Sequence, residues 1–212
     1  MCENDIPNLP PTMFRRVDES ADSEFYAEPR FVAHIDQATI DALTDFYRTF
    51  LPKGSDVLDL MSSWISHLPV EVDYERVSGL GMNREELQGN PRLDDFVVHD
   101  LNVEPNLPYA EHSFDRATLA VSIQYLIRPV EVMTSVHKVL RPGGRICIAM
   151  SHRLFPTKAI VAFQRLGPEE RVQLVARYLA MGGFTDVQFL DRSPPAADPL
   201  WLVVGTVRPV VT

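Results

Sequence analysis

Cysteine is scarce: the 212 residues hold two, Cys2 and Cys147. Two cannot build a disulfide framework, and no metal-ligand spacing accompanies them. Cys147 sits in the apolar run Arg145-Ile146-Cys147-Ile148-Ala149-Met150, where a small thiol packs as a hydrophobe. No apolar stretch approaches the roughly 20 residues of a membrane-spanning helix. The first five residues, MCEND, lack the basic region and apolar core of a secretory leader, so the cytoplasm is the expected location. Positive charge is also short, with 20 Lys and Arg against 29 Asp and Glu and a net charge of −9. A field of that sign repels phosphate backbones and anionic lipid, which disfavours nucleic acid and membrane surfaces as partners. Glycine is thin, with none between Gly54 and Gly79. That gap excludes a nicotinamide-type G-x-G-x-x-G turn there.

What is present is an ordinary globular composition, 45% hydrophobic and 23% charged. A chain of this size buries roughly 70% of its unfolded surface, enough for a core without metals or disulfides. Residues 1–28, with Pro7, Pro10 and Pro11 and scattered acids, read as an irregular arm, and residues 29–212 as an α/β domain. Asp36 is a good N-cap for a helix carrying Leu43, Phe46, Tyr47 and Phe50 on one face, stopped by Pro52 and Gly54. Short apolar runs then alternate with helical segments. Strands are expected over 56–60, 76–80, 96–99, 116–121, 145–150, 185–190 and 200–207. Asn83 and Glu86 offer a capping box to a brief helix. Pro129 and Pro168 open two longer ones, and Arg141-Pro142-Gly143-Gly144 makes the turn into the fifth strand. Near-continuous apolar strands spaced by helices imply a doubly wound, seven-stranded, mostly parallel sheet covered on both faces. The last two strands lack a crossover and should pair antiparallel. Such sheets bind ligands at the carboxyl ends of their strands, where strand order reverses.

Leu107-Pro108-Tyr109, Ser113-Phe114-Asp115 and Val139-Leu140-Arg141-Pro142-Gly143-Gly144-Arg145, at suitable spacing, resemble segments of the class I S-adenosylmethionine-dependent methyltransferases, of the small single-domain type. The resemblance implies a Rossmann-like fold, S-adenosylmethionine as cofactor and a small-molecule methyl acceptor, and it leaves a homodimer open. The family's aspartate for the adenine amino group matches Asp100, followed by Leu101. Its active-site segment after the fourth strand matches Val121, Ser122, Gln124 and Tyr125. Asp59 and Leu60 end the first strand, where the family's glycine turn should begin.

Here the chain departs from the family. All three turn glycines are replaced, by Met61, Ser63 and Ile65 within Met61-Ser62-Ser63-Trp64-Ile65. Non-glycine residues must either use ordinary dihedrals or bear strain. Ser62 is open to two roles, capping a short helix over 63–68 or capping and touching the cofactor. Amides at the start of that helix, beginning at Ser63, would meet the cofactor's carboxylate. Trp64 either walls the substrate pocket or packs in the core. The family's ribose-gripping acid is also missing: Gly81-Met82-Asn83 stands in its place, with Asn83, Glu85 and Glu86 as substitutes. In the arm, Tyr26, Arg30 and His34 are candidates to contact substrate. His34 and His152 are the candidate bases, with Tyr26 and Tyr125 to donate or orient. His67, in the expected short helix, either reaches the site or packs. The leading expectation is in-line methyl transfer to a small molecule. The alternative is a non-catalytic cofactor-binding or protein-interaction module on the same fold.

Overall fold

A computed structural model describes residues 9–210 of the chain. Cys2, Pro7 and the MCEND segment lie outside the described residues.

The apolar runs form one sheet in the order β3-β2-β1-β4-β5-β7-β6. Its strands are β1 (Asp56–Leu60), β2 (Arg76–Gly81), β3 (Asp95–Val98), β4 (Phe114–Ala120), β5 (Leu140–Met150), β6 (Thr185–Asp191) and β7 (Trp201–Thr206). β1 pairs parallel with β2 and with β4, β2 with β3, and β4 with β5. β7 runs antiparallel to both β5 and β6. Strand order therefore reverses between β1 and β4.

Alternate strand residues enter opposite cores. Leu58 and Leu60 of β1 and Ile146, Ile148 and Met150 of β5 pack under α4 (Pro129–Val139) and α6 (Pro168–Met181). Val57, Cys147 and Ala149 pack on the other face with Leu43, Tyr47 and Phe50 of α2 (Gln37–Phe50). Cys147 is fully buried, and burial pushes its thiol pKa well up, as befits a packing residue. α2 starts as its sequence indicates, Asp36 accepting from the Thr39 N–H at 2.9 Å.

Four local expectations need correction. The arm is not wholly irregular: a helical turn at Pro11–Phe14 and α1 (Asp22–Phe25) lie within it. The Pro-Gly-Gly segment lies inside β5 rather than before it. The capping box is half made. Asn83 Oδ1 caps α3 (Arg84–Gln88) by accepting from the N–H groups of Glu85 and Glu86. The Glu86 carboxylate instead accepts from the Arg30 N–H and the Ser63 hydroxyl.

The largest departure is the β1–β2 connection, residues 61–75, which contains no helix. Pro69 disfavours helical dihedrals at Leu68, and three serines supply hydroxyl hydrogen bonds that compete with a helix. Ser62 and Ser66 both donate to Asp59 Oδ2, at 2.5 and 2.6 Å. Thr118 of β4 donates to Oδ1 at 3.1 Å. Asn90 closes the network, giving its amide protons to Ser66 Oγ and the Ser63 carbonyl. One buried carboxylate thus shapes the loop. Ser62 caps no helix, and His67 lies in the irregular connection with a positive φ of 56°.

Candidate functional site

A cleft of about 1150 Å³, open to solvent at one side, lies at the carboxyl ends of β1, β2 and β4, at the point where strand order reverses. Asp59, Leu60, Met61, Ser62, Ser63 and His67 form one wall. Gly81, Met82 and Asn83 continue from β2, Asp100, Leu101 and Asn102 follow β3, and Val121, Ser122 and Tyr125 follow β4. The arm closes it with Asp22, Tyr26, Arg30 and His34, and Phe155 closes the β5 side.

Met61 and Val121, the first residues after β1 and β4, both have positive φ, 52° and 51°. L-residues rarely adopt that region, and a β-branched one hardly ever does. The turn therefore keeps the dihedral sign that glycine would take, at a cost of about 1–3 kcal/mol per residue. Gly81 is required for a different reason. A Cβ there would lie 2.2 Å from the Ser62 carbonyl oxygen, because the Ser62 N–H donates to the Leu80 carbonyl and holds the loop against β2. No acidic side chain fits at that position.

The polar groups of the cleft are mostly committed to the protein. Asp59 is 3% exposed, and burial raises its pKa to about 6 against the lowering effect of its three hydroxyl donors. Asn83 spends its amide protons on the Tyr26 and Ala27 carbonyls, so it braces the arm rather than standing in for the missing acid. Asp100 Oδ1 accepts from the Asn102 N–H at 2.9 Å while the residue lines the cleft. The Tyr125 hydroxyl accepts from the Phe155 N–H. Burial raises the pKa of both Tyr26 and Tyr125, so both phenols are neutral. His34 is exposed at the mouth, edge-on to Phe155 at 5.3 Å, and partial desolvation lowers its pKa.

Three of the expected site residues face elsewhere. Gln124 donates to the Val121 and Arg153 carbonyls and props the strained turn from behind. Trp64 donates to the Val32 carbonyl and packs edge-on against Phe31, beneath the arm. His152 lies 3.2 Å from Asp198 on the β7 side and is half exposed; it does not line the cleft.

Sequence reasoning missed Asp22, Asn102 and Phe155. Arg16 grips Asp22 with two contacts at 2.7 and 2.8 Å, and Asn102 donates to it at 2.7 Å. The fully buried Lys158 binds Asp18, Asp22 and the Ser20 carbonyl. No local pattern signals these partners, since Lys158 is far from them in sequence.

Residues 68–148 match the sequence model of the family described as "Methyltransferase domain". That stretch, 81 of the 212 residues, is similar to a methyltransferase domain. Among curated relatives of this methyltransferase domain, the demethylmenaquinone methyltransferase of Paenarthrobacter aurescens is 33% identical over 78 residues. That match covers 36% of this chain and 29% of the relative, so the chain spans under a third of that protein's length. A solved S-adenosylmethionine-dependent methyltransferase from Mesorhizobium loti aligns with TM-score 0.57 at 18% identity, over 79% of this chain and 99% of that one. The 4+2-cyclase SpnF aligns with TM-score 0.59 at 15% identity, over 80% of this chain and 82% of its own. The structural likenesses are of fold, and one of them is to a cyclase.

Proposed function

We propose that the chain transfers a methyl group from S-adenosylmethionine to a small-molecule acceptor by in-line displacement. The observation that carries this reading is a cleft at the strand-order reversal of a methyltransferase sheet, walled by Asp100 and by the β1 loop.

The cleft suits a cationic cofactor. Asp22, Asp59, Glu86 and Asp100 line it, against Arg30 as its one permanent cation among the described residues. The N–H groups of Ser63 and Ile65, on the same wall, donate to no other described group. They replace the helix-start amides expected from the sequence. Asp100 would accept from the adenine amino group. When bound, the cofactor supplies an electrophilic methyl on a sulfonium. The protein's part is then to align the acceptor with it and to exclude water. Positioning of this kind supplies roughly 7–11 kcal/mol of a bimolecular barrier. Tyr26 and Tyr125 orient the acceptor, and His34, at the mouth, takes a proton from a protic acceptor. His152, turned toward Asp198, has no part in this reading.

Titration calorimetry with S-adenosylhomocysteine tests the proposal. Binding supports it, and it fails if saturating concentrations release no heat. A non-catalytic role on the same fold is favoured by one observation, the exclusion of any side chain at position 81. Turnover of any methyl acceptor would exclude that second reading.

A further inference from the structure

Two phenol hydroxyls of the cleft keep unclaimed protons. The Tyr125 hydroxyl accepts from the Phe155 N–H at 2.9 Å, and its own proton reaches no described acceptor. The Tyr26 hydroxyl bonds no described group. Tyr26 comes from the arm and Tyr125 from the turn after β4, and both line the cleft. They lie within electrostatic reach of each other, since charge on Tyr125 raises the pKa of Tyr26 after burial has done so. Each phenol is neutral and so has a proton to give. Two such donors in one cleft call for a ligand oxygen that accepts from them.

The surroundings of this donor pair are aromatic. Phe155 stacks on Tyr125 with ring centres 5.8 Å apart and 29° between the planes, and His34 stands edge-on to Phe155 at 5.3 Å. A second cavity of about 490 Å³, open at its mouth, adjoins these same three residues and extends to Ala33, Arg153 and Leu154. No Asp or Glu lines it. Asp22, whose charge reaches Tyr26, already holds Arg16, Lys158 and Asn102. Glu86, whose charge reaches His34, already accepts from the Arg30 N–H and the Ser63 hydroxyl. An ammonium ligand must therefore compete for carboxylates that have partners, whereas a flat ring meets ring faces and edges. His34 itself is a weak base: desolvation holds its pKa below the usual imidazole value, with Glu86 raising it and Arg30 lowering it to smaller extents. Such a base suits a phenol, with a pKa of about 10, better than the far less acidic aliphatic alcohols.

We propose that the methyl acceptor is a planar aromatic hydroxyl compound, its ring against Phe155 and its oxygen held by the Tyr26 and Tyr125 hydroxyls. The inference deepens the methyl-transfer reading and rests on it. The acceptor oxygen takes the methyl group with its own lone pair, and the pair of the broken S–CH₃ bond stays on sulfur as a neutral thioether. The phenol proton passes to His34 and on to the solvent to which that residue is exposed. The two tyrosine donors stabilise the charge that develops on oxygen as this proton leaves, and the second cavity takes whatever the ring carries beyond it.

Ligand-observed NMR titration of the S-adenosylhomocysteine-loaded protein tests this with three probes of similar size: 2-naphthol, its saturated counterpart decahydro-2-naphthol, and 2-(aminomethyl)naphthalene. Wild type should bind 2-naphthol roughly tenfold more tightly than either of the others. Y26F and Y125F keep the rings and remove one donor each. Each should weaken 2-naphthol by roughly tenfold and leave 2-(aminomethyl)naphthalene unchanged, a selectivity that general loosening of the cleft would not produce. F155L, which keeps the bulk and removes the ring, should bring 2-naphthol and decahydro-2-naphthol to similar affinity. Equal binding of the three probes by wild type, tighter binding of the amine, or unaltered 2-naphthol affinity in both phenylalanine variants overturns the assignment. If S-adenosylhomocysteine binds and 2-naphthol does not, the assignment falls and the methyl-transfer reading stands. If S-adenosylhomocysteine itself does not bind wild type, both fall. Melting temperatures identify any variant that is merely unfolded, and the comparison of the three probes on wild type needs no variant.

Discussion

Asp59 and His67 are buried ionisable side chains whose pKa values move in opposite directions on folding, which makes them separable. Asp59 titrates near 6 when folded and near 3.9 when unfolded. The folded state holds that proton more tightly, so its contribution is full below about pH 4 and is lost as pH rises to 6. The loss is on the order of 3 kcal/mol. Subtracting the urea stability of D59N from that of wild type between pH 4 and 7 should give a falling curve that levels above 6. His67 runs the other way: its folded pKa of about 4 lies below its unfolded value near 6.5. Stability from His67 is present above about pH 6.5 and is lost as pH falls toward 4, so the wild type minus H67N difference should rise with pH. A flat difference curve for either residue would contradict the burial assigned to it. Met61 gives a third test at this scale. Replacing it by glycine relieves the positive φ but removes core packing and adds chain entropy. These effects nearly cancel, and M61G should change stability by less than about 1 kcal/mol by chemical denaturation.

Elements that depend on near neighbours were legible in the sequence. The strand Asp56–Leu60 coincides with its apolar run, and α2 begins after the Asp36 cap its sequence announces. Elements that depend on distant partners were not. The serines after β1 read as caps for a helix, but their hydroxyls turn back to Asp59 and no helix forms. α1 is four residues long and α5 (Val161–Arg165) five, too short for periodicity to declare them. The cleft followed from the strand ends, so the residues ending β1, β2 and β4 were found. Trp64, Gln124 and His152 were misdirected because each is drawn to a partner outside the cleft lining or to backbone: the Val32 carbonyl, the Val121 and Arg153 carbonyls, and Asp198. The arm is fixed by charge as well as by apolar packing: Arg16, Asp18, Asp22 and Lys158 tie it down, while Leu9, Met13 and Phe14 rest on the core. Removing Lys158 leaves Asp22 with Arg16 as its remaining cation, so K158M should cost less than the roughly 3–5 kcal/mol of a buried carboxylate left alone. Limited proteolysis should then cut within residues 9–34 faster than in wild type. An unchanged cleavage rate would mean that Arg16 alone suffices as the tether.

At the scale of the whole molecule, ligand occupancy should register as stability. A ligand that binds only the folded state at 100 times its Kd adds about 2.7 kcal/mol. For a chain of this length that raises the melting temperature by roughly 5–10 °C, and S-adenosylhomocysteine should produce such a shift in a thermal scan. The absence of any shift at millimolar ligand would argue against the cleft as a nucleoside site. No described helix is long and apolar enough to cross a membrane.

The contact between Gly81 and the Ser62 carbonyl oxygen, 2.2 Å from where a Cβ would sit, also bears on how this chain can change. The glycine-free loop and the missing ribose acid look like two separate departures from the family, yet they occupy one space and so form a single epistatic unit. An aspartate restored at position 81 meets a backbone that cannot retreat while Ser62 and Ser66 hold it to Asp59. Glycines restored at 61, 63 and 65 leave the acid absent. The acid is blocked while the present loop stands, whereas a loop glycine such as M61G is nearly neutral and brings no acid with it, so the family's pairing of loop and acid returns only when both are exchanged together.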